Sequence, residues 1–408
     1  MRIYISGISG TGMGPLALMA QNAGLEVVGS DLLAGPVAAE LEDRDINFQI
    51  GPQDGHFLQQ QIEQGIDWFV YTSALPSDHP ELTLAREQGI KCTKRDELIA
   101  YLVQELQLKM VAIAGTHGKT TTTAMLIWGA QQLNLPVSYL VGSTLPFAPA
   151  GSYNQNAKYL IYEADEYDRN SLAFHPWLAA ITVATYDHPD IYPTEEDYQS
   201  AFKQFESQSQ QVLHGGQTDS RLILAGAARR EDATTALRAL QLIAQDAELP
   251  FDEAKAIDIL NHFPGVGRRF ERLKDGLYSD YAHHPEEITA TLEIAQEEAR
   301  NTGKKGVVAI YEPHQNSRQH QDCQGYHGAF QKADHLFWLP TYLTREDPSL
   351  AVIQPADFIQ SLDNSAIAEP ADLNGELLQK LQQYYQDGYL ILLMTAGPAD
   401  QWLRDNML

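Results

Sequence analysis

One six-residue turn constrains this chain more than anything else in it. Gly115-Thr116-His117-Gly118-Lys119-Thr120 stands between a buried-strand run at 110–114 and a helical stretch that begins near Lys119. A strand feeding a helix through such a turn points backbone N–H groups into the loop, and the helix N-terminus adds partial positive charge. Lys119 can then reach terminal phosphates, and the Thr120 hydroxyl can hold Mg²⁺. The standard phosphate loop has a glycine five positions before Gly118; that position here is Ile113, so the loop is two residues shorter. An ordinary glycine-rich turn is the competing reading, but Gly-Lys-Thr-Thr after a buried strand has the context that phosphate binding needs.

Around this turn, strand-like runs alternate with helical periodicity along the whole chain, which predicts an α/β fold with parallel sheets. Strands are expected at 2–8, 26–31, 68–72, 110–114, 159–162, 180–185, 306–311, 335–338 and 389–394. Helices are expected at 15–23, 80–88, 233–245, 286–299, 328–333 and 377–385. The Gln/Ser/Gly-rich stretch 204–219 reads as a loop or linker, and a short strand is expected to end at Ile223. Three segments follow from this pattern: 1–106, 107–271 and 272–408.

The formal charge of -26, from 28 Lys+Arg against 54 Asp+Glu, repels polyanions. Nucleic acid and anionic membrane surfaces are therefore excluded as general partners, and any anionic ligand must be held by a few local donors. Cys92 and Cys323 lie far apart, which fits a reducing cytoplasm rather than a disulfide framework. No apolar run approaches the roughly 20 residues that span a bilayer. The first ten residues read as a strand that stops at Gly7 rather than as a signal peptide.

Two further groups of residues suggest chemistry. Gly7, Gly10, Gly12 and Gly14 follow the first strand without matching the dinucleotide fingerprint, and Asp31 ends the second strand where ribose-binding acids are found. These glycines serve equally well for tight strand–helix packing. After the strand at 159–162 come Glu163, Asp165, Glu166 and Asp168, and another strand run leads to Asp187, His188 and Asp190. Clustered acids at strand C-termini repel one another unless a cation is near, and a hard cation beside a triphosphate takes oxygen ligands and tolerates an imidazole. A solvated acidic loop is the plain alternative.

In order along the chain, GISGTGMGPLA, AGTHGKTTT, EADEYD, YDHPDIY, GRRFERL, DYAHHPEEI and YEPHQNSR resemble the Mur ligase family, the ATP-dependent amide-forming enzymes of peptidoglycan precursor synthesis. The resemblance covers most of the chain and implies three domains. These are a Rossmann-like UDP-sugar-binding domain (1–106), an abridged P-loop ATPase-like central domain with a parallel sheet (107–271) and a Rossmann-like C-terminal domain for the amino acid (272–408). It implies that Gly115, Thr116, His117, Gly118, Lys119, Thr120 and Thr121 form the ATP loop, with Lys119 on the β- and γ-phosphates. Mg²⁺ would be held by Thr120, Glu163 and His188. Arg269 and Asp280 would contact ATP phosphate and help close the C-terminal domain, with Arg268 a weaker candidate, and Tyr281 would pack on the nucleotide. His283 and Arg318 would sit near the acyl phosphate and incoming amino acid. Gly10, Thr11, Gly12, Met13 and Asp31 would lie by the UDP moiety, and Ser73 by its pyrophosphate or sugar.

The branch that the resemblance favours joins L-alanine to UDP-N-acetylmuramate, with the 340–346 segment and DYAHHPEEI in support; His117 stands at a position typical of this branch and is compatible with both. The branch that adds a whole tripeptide is the alternative, favoured by EADEYD and by Glu312-Pro313 with Asn316. Some features depart from the family pattern. The element usually written Gly-x-His-Asn-x-x-Asn is Gly226-Ala227-Ala228-Arg229-Arg230-Glu231-Asp232 here, Gln315 takes a commonly basic position, Val183 stands where Asn is usual, and the interval from His188 to Gly226 is short. A catalytically degenerate nucleotide-binding homologue and, from the N-terminal glycines alone, a dinucleotide oxidoreductase are the remaining readings. ATP and Mg²⁺ are the expected cofactors, and a cytoplasmic monomer or weak homodimer the expected state.

Overall fold

In the computed structural model of the chain, the described residues are 1–165, 167–186, 191–344 and 346–408, with backbone alone at 167 and 168. The chain divides into two compact units. The first comprises Met1–Leu222 with Glu231–Pro264, and the second Ile223–Arg230 with Gly265–Leu408.

The first unit contains two sheets. One is all parallel, ordered β3-β2-β1-β4-β5, from β1 (Arg2–Ser6), β2 (Glu26–Asp31), β3 (Asn47–Ile50), β4 (Trp68–Tyr71) and β5 (Lys91–Lys94). The order reverses between β1 and β4, the position where open α/β sheets bind ligands at their strand C-termini. The second sheet is ordered β11-β10-β6-β9-β7-β8. Its strands are β6 (Lys109–Ala114), β7 (Val137–Leu140), β8 (Gly151–Ser152), β9 (Tyr159–Glu163), β10 (Leu178–Ile181) and β11 (Gln211–His214). Strand β6 lies between β9 and β10, buried from Met110 to Ala114, which is why it reads as an unbroken apolar run rather than an alternation. The helix Lys119–Gln132 behind it buries Thr120, Thr122 and Thr123 as well as its aliphatic residues.

The second unit holds one sheet, ordered β12-β13-β17-β14-β15-β16. It is built from β12 (Glu271–Lys274), β13 (Leu277–Asp280), β14 (Val307–Glu312), β15 (His335–Trp338), β16 (Ala368–Pro370) and β17 (Leu390–Thr395). Only the β12–β13 pair is antiparallel. Val308, Ile310 and Leu393 pack one face and Val307, Ala309 and Leu392 the other. The α/β reading with three parallel-rich sheets therefore holds.

Four local expectations fail. The Gln/Ser-rich stretch is not a linker: helix Glu195–Gln208 runs into it and β11 follows. Tyr198, Ala201, Phe202 and Phe205 bury at three- and four-residue spacing while the polar residues face water, so spacing overrides composition. The strand expected to end at Ile223 is loop, with that side chain 74% exposed. The helix expected at 328–333 is turn; helix instead occupies Cys323–Tyr326. Strand β10 also stops at Ile181, leaving Thr182 to Tyr186 as the loop beside the phosphate turn.

One buried acid was not anticipated. Glu81, 1% exposed in the helix Pro80–Glu87, accepts from Tyr4 Oη (2.6 Å), Ser6 Oγ (2.7 Å) and Ser30 Oγ (2.7 Å). It thereby pins the C-terminal ends of β1 and β2. Buried carboxylates persist only with such partners.

Candidate active site

In the first unit the phosphate turn sits at the C-terminal edge of the second sheet, between the ends of β9 and β10. Gly115 has φ +137 and Gly118, the residue preceding the helix, φ +83. Both are backbone conformations that glycine alone adopts readily. A Cβ on Gly118 would stand 2.3 Å from Asp232 Oδ1. Thr116 N donates to Val183 O at 2.5 Å, and Thr182 Oγ1 donates to Ala114 O and His117 O, so the loop is tied to the chain leaving β10. Thr116 Oγ1 also meets Thr185 O (2.5 Å) and Tyr198 Oη (2.6 Å).

Lys119 folds back over its own loop, with Nζ 2.6 Å from Gly115 O and 3.2 Å from Thr116 O. Thr120 Oγ1 donates to Glu163 Oε1 at 2.7 Å, and Glu163 Oε2 accepts from Gly142 N at 2.8 Å. A hydroxyl and a carboxylate oxygen at the mouth of a phosphate loop are the donor set a hard cation takes, so these residues fit Mg²⁺. Expected ligand His188 lies outside the described residues. Thr121 follows Thr120 on the same helix and is half-buried.

The N-terminal glycine turn, residues 7–13, follows β1. Asp31 is engaged within this turn: Oδ2 accepts from Ser9 N (2.9 Å) and Ser9 Oγ (2.7 Å). It thus fixes the turn's shape. Gly10 and Gly12 are partly exposed, Thr11 is exposed and Met13 is buried, while Ser73 lies in the turn after β4, across the sheet's switch point from them. A cavity of about 220 Å³ joins this turn to the phosphate loop, lined by Thr11, Gly12, Arg95, Lys119 and Glu163 among others. Sequence reasoning missed Arg95: its Nη2 pairs with Asp165 at 3.1 Å across 70 positions, a separation that no local pattern reports. Asp232 also belongs here, with Oδ1 3.2 Å from the Thr122 hydroxyl.

In the second unit, Asp280 ends β13, 6% exposed. Its carboxylate accepts from Phe270 N (2.6 Å) and Ala282 N (2.7 Å), which fixes the preceding turn. In that turn Arg268 and Phe270 are left-handed, at φ +53 and +48. The Arg268 and Arg269 guanidinium carbons lie 4.8 and 5.0 Å from the Tyr281 ring centre. His283 Nδ1 lies 2.9 Å from Tyr281 O and 3.3 Å from Glu287 Oε2. His314, not singled out from sequence, packs its ring 5.4 Å from that of His283, and Arg318 contacts the His284 ring. Arg269, Asp280, Tyr281, His283 and Arg318 therefore gather at one edge of the third sheet. Glu312 and Asn316, the features leaning toward the tripeptide branch, serve the local fold. Glu312 accepts from Thr395 and Ala399 N, and Asn316 bonds Ala351 O and Ile353 N.

Burial pushes the His283 pKa down to about 3, with Glu287 opposing, so the imidazole is neutral near pH 7. Its contribution to stability is complete above about pH 6.5 and drains as pH falls toward 3. Burial pushes Asp280 up to about 6, with Arg269 opposing. Here the native state keeps a proton that the unfolded chain sheds, so stability is lost as pH rises from about 4 through 6. The two slopes oppose. Asp280→Asn removes the second, so the stability of the variant relative to wild type should rise between pH 4.5 and 7 in urea titrations. The hydrogen bonds lost add a constant offset, and a flat difference would contradict the assignment.

Two family models match the chain: Mur ligase family, catalytic domain, over residues 2–106, and Mur ligase middle domain, over residues 113–221. The UDP-N-acetylmuramate–L-alanine ligase of Rubrobacter xylanophilus is 30% identical, with 98% of this chain and 95% of that protein aligned. The ligase of the same name from Syntrophomonas wolfei is 29% identical over 455 positions, again covering 98% and 95%. That alignment is longer than the 408 residues present here, so some dozens of its positions have no counterpart in this chain. Among solved structures, the UDP-N-acetylmuramate-alanine ligase of Thermotoga maritima shares the fold with a TM-score of 0.78 at 22% identity, covering 99% of this chain and 98% of that one. A murein peptide ligase from Psychrobacter arcticus matches with a TM-score of 0.63 at 21% identity, covering 100% and 98%.

Proposed function

The chain belongs to the Mur ligase family of ATP-dependent amide-bond ligases, and from that premise we propose that it joins L-alanine to the lactyl carboxylate of UDP-N-acetylmuramate. The observation that carries this reading is the phosphate turn, with Lys119 folded over it and the Thr120–Glu163 pair at its mouth, opening into one cavity with the N-terminal glycine turn. The names of the relatives from Rubrobacter and Syntrophomonas support the choice of L-alanine. Segments 1–106, 107–271 and 272–408 then serve the UDP-sugar, ATP and the amino acid in turn.

A carboxylate is a poor acylating group because its oxygen leaves badly. A muramate carboxylate oxygen attacks the γ-phosphorus, the bond to the bridging oxygen of ADP breaks, and an acyl phosphate forms. The L-alanine nitrogen attacks the acyl carbon, loses a proton, and expels inorganic phosphate carrying the former carboxylate oxygen. Lys119 offsets charge on the β- and γ-phosphates, and the backbone N–H groups of 115–120 orient them. Thr120 and Glu163, with His188, are the residues that would hold Mg²⁺, whose charge relieves crowding among the phosphate oxygens. Arg269 with Asp280 serves the nucleotide phosphates, and Tyr281 stacks on the nucleotide. His283, neutral near pH 7, accepts a hydrogen bond from the amine rather than binding an anion. Arg318 faces the amino-acid carboxylate. Gly10, Thr11, Gly12, Met13 and Ser73 border the UDP moiety, and Asp31 acts through the shape of their turn. The reaction needs no membrane, in keeping with a cytoplasmic enzyme.

The test is ADP release with UDP-N-acetylmuramate and each of L-alanine, other amino acids and L-Ala-γ-D-Glu-meso-diaminopimelate. Turnover is expected with L-alanine. Turnover with the tripeptide alone moves the chain to the tripeptide-adding branch, and no ADP release with any acceptor supports the degenerate homologue.

A further inference from the structure

The cavity between the glycine turn and the phosphate loop contains two cations among its lining residues, Arg95 and Lys119. Lys119 belongs to the phosphate loop. Arg95 opens the helix Arg95–Glu105 directly after β5, and its side chain is 19% exposed. Two neighbours fix its guanidinium. Nη2 pairs with Asp165, and Nη1 lies so close to the glycine turn that a Cβ on Gly12 would stand 2.7 Å from it. The guanidinium therefore faces the backbone of the turn that follows β1, while its far edge is held by the acidic segment that follows β9. A guanidinium paired with Asp165 stays charged at neutral pH.

A second residue points the same way. Tyr162 lines this cavity and is 4% exposed, and its hydroxyl is buried without a hydrogen-bond partner among the described residues. A phenol hydroxyl carries its proton at neutral pH and can donate it in a hydrogen bond. A buried donor without a partner costs free energy, and a ligand acceptor would recover it. A fixed guanidinium and a phenol that line one cavity match a carboxylate, which accepts through two oxygens.

We propose that Arg95 and Tyr162 form the subsite for the sugar's lactyl carboxylate, holding it beside Lys119 where the γ-phosphoryl group arrives. The subsite deepens the proposed function and rests on it. Fixed donors exchange the water around the carboxylate for oriented hydrogen bonds while leaving one oxygen lone pair open to attack phosphorus. Glu163 and Asp165, in the same cavity, exclude a bound anion that lacks such donors.

The experiment compares two probes by calorimetry on the full chain: UDP-N-acetylmuramate, and UDP-N-acetylglucosamine, which has the same diphosphate and sugar without the lactyl carboxylate. Arg95→Gln should weaken muramate binding about 10- to 100-fold, as expected for a lost charge-assisted pair, and leave the glucosamine compound within about twofold. Arg95→Lys should restore part of the loss. Tyr162→Phe should weaken the muramate alone by about 3- to 10-fold, with an unchanged or raised unfolding midpoint, because no partner in the free protein is lost. Equal weakening of both probes would assign Arg95 to the diphosphate or to the scaffold and overturn the subsite, and unchanged muramate binding would overturn it too. Wild-type protein that does not prefer the muramate overturns the proposed function along with it, whereas preference in the wild type retained in both variants overturns the subsite alone.

Discussion

Replacing Lys119 with alanine is expected to cut turnover by about 1000-fold or more, about 4 kcal/mol of barrier, while UDP-N-acetylmuramate affinity stays within about threefold. Nζ lies over the phosphate turn, 2.6 Å from Gly115 O, and no other Lys or Arg stands in the 115–120 loop. Loss of that charge leaves the γ-phosphoryl group with no cationic side chain from the loop itself, in a protein whose net charge is -26. Sugar binding should survive because the proposed function gives the UDP moiety to the glycine turn of the first sheet. Steady-state rates and calorimetry on the same preparation check both halves. A loss of tenfold or less would remove Lys119 from the phosphate site.

Gly115→Ala should be the most damaging small substitution in the turn. The new Cβ would stand 2.2 Å from Thr182 Oγ1 and 2.9 Å from Val183 O, at a φ of +137 that alanine adopts only under strain. Backbone strain and overpacking together cost about 2–5 kcal/mol. The urea midpoint should drop accordingly, and ATP binding should disappear with the loop geometry. Adding Thr182→Ala removes the first contact but neither the Val183 carbonyl nor the φ, so the double variant should regain only part of the loss. A Gly115→Ala protein within about 0.5 kcal/mol of wild type would mean that the turn has another shape.

Local chemistry is what the sequence made legible. The phosphate turn is written in consecutive residues, and the buried strands that present it are unbroken apolar runs, so Lys119, Thr120 and Glu163 could be named before any contact was known. Asp280 and His283 were legible as a motif, yet what burial does to them was not: their opposed pKa shifts come from the packing of β13 and the helix Pro285–Asn301. Arg95 stayed hidden because its partner is 70 positions away. Glu81 stayed hidden because an acid in a first helical turn usually faces water, and only the sheet order brings Tyr4, Ser6 and Ser30 onto it. The stretch 204–219 misled through composition; the aromatic spacing at Tyr198, Phe202 and Phe205, in the helix that runs into it, carried the truer signal. Asp31 was placed correctly at the end of β2, but its oxygens hold Ser9.

The central claim is that this chain primes a sugar carboxylate by phosphorylating it. It can be tested with UDP-N-acetylmuramate labelled with oxygen-18 in the lactyl carboxylate, incubated with ATP, Mg²⁺ and L-alanine. Mass spectrometry of the inorganic phosphate should find one labelled oxygen per phosphate released, and the amide product should retain the other. Unlabelled phosphate accompanying amide formation, or phosphate released with no amide at all, would contradict it.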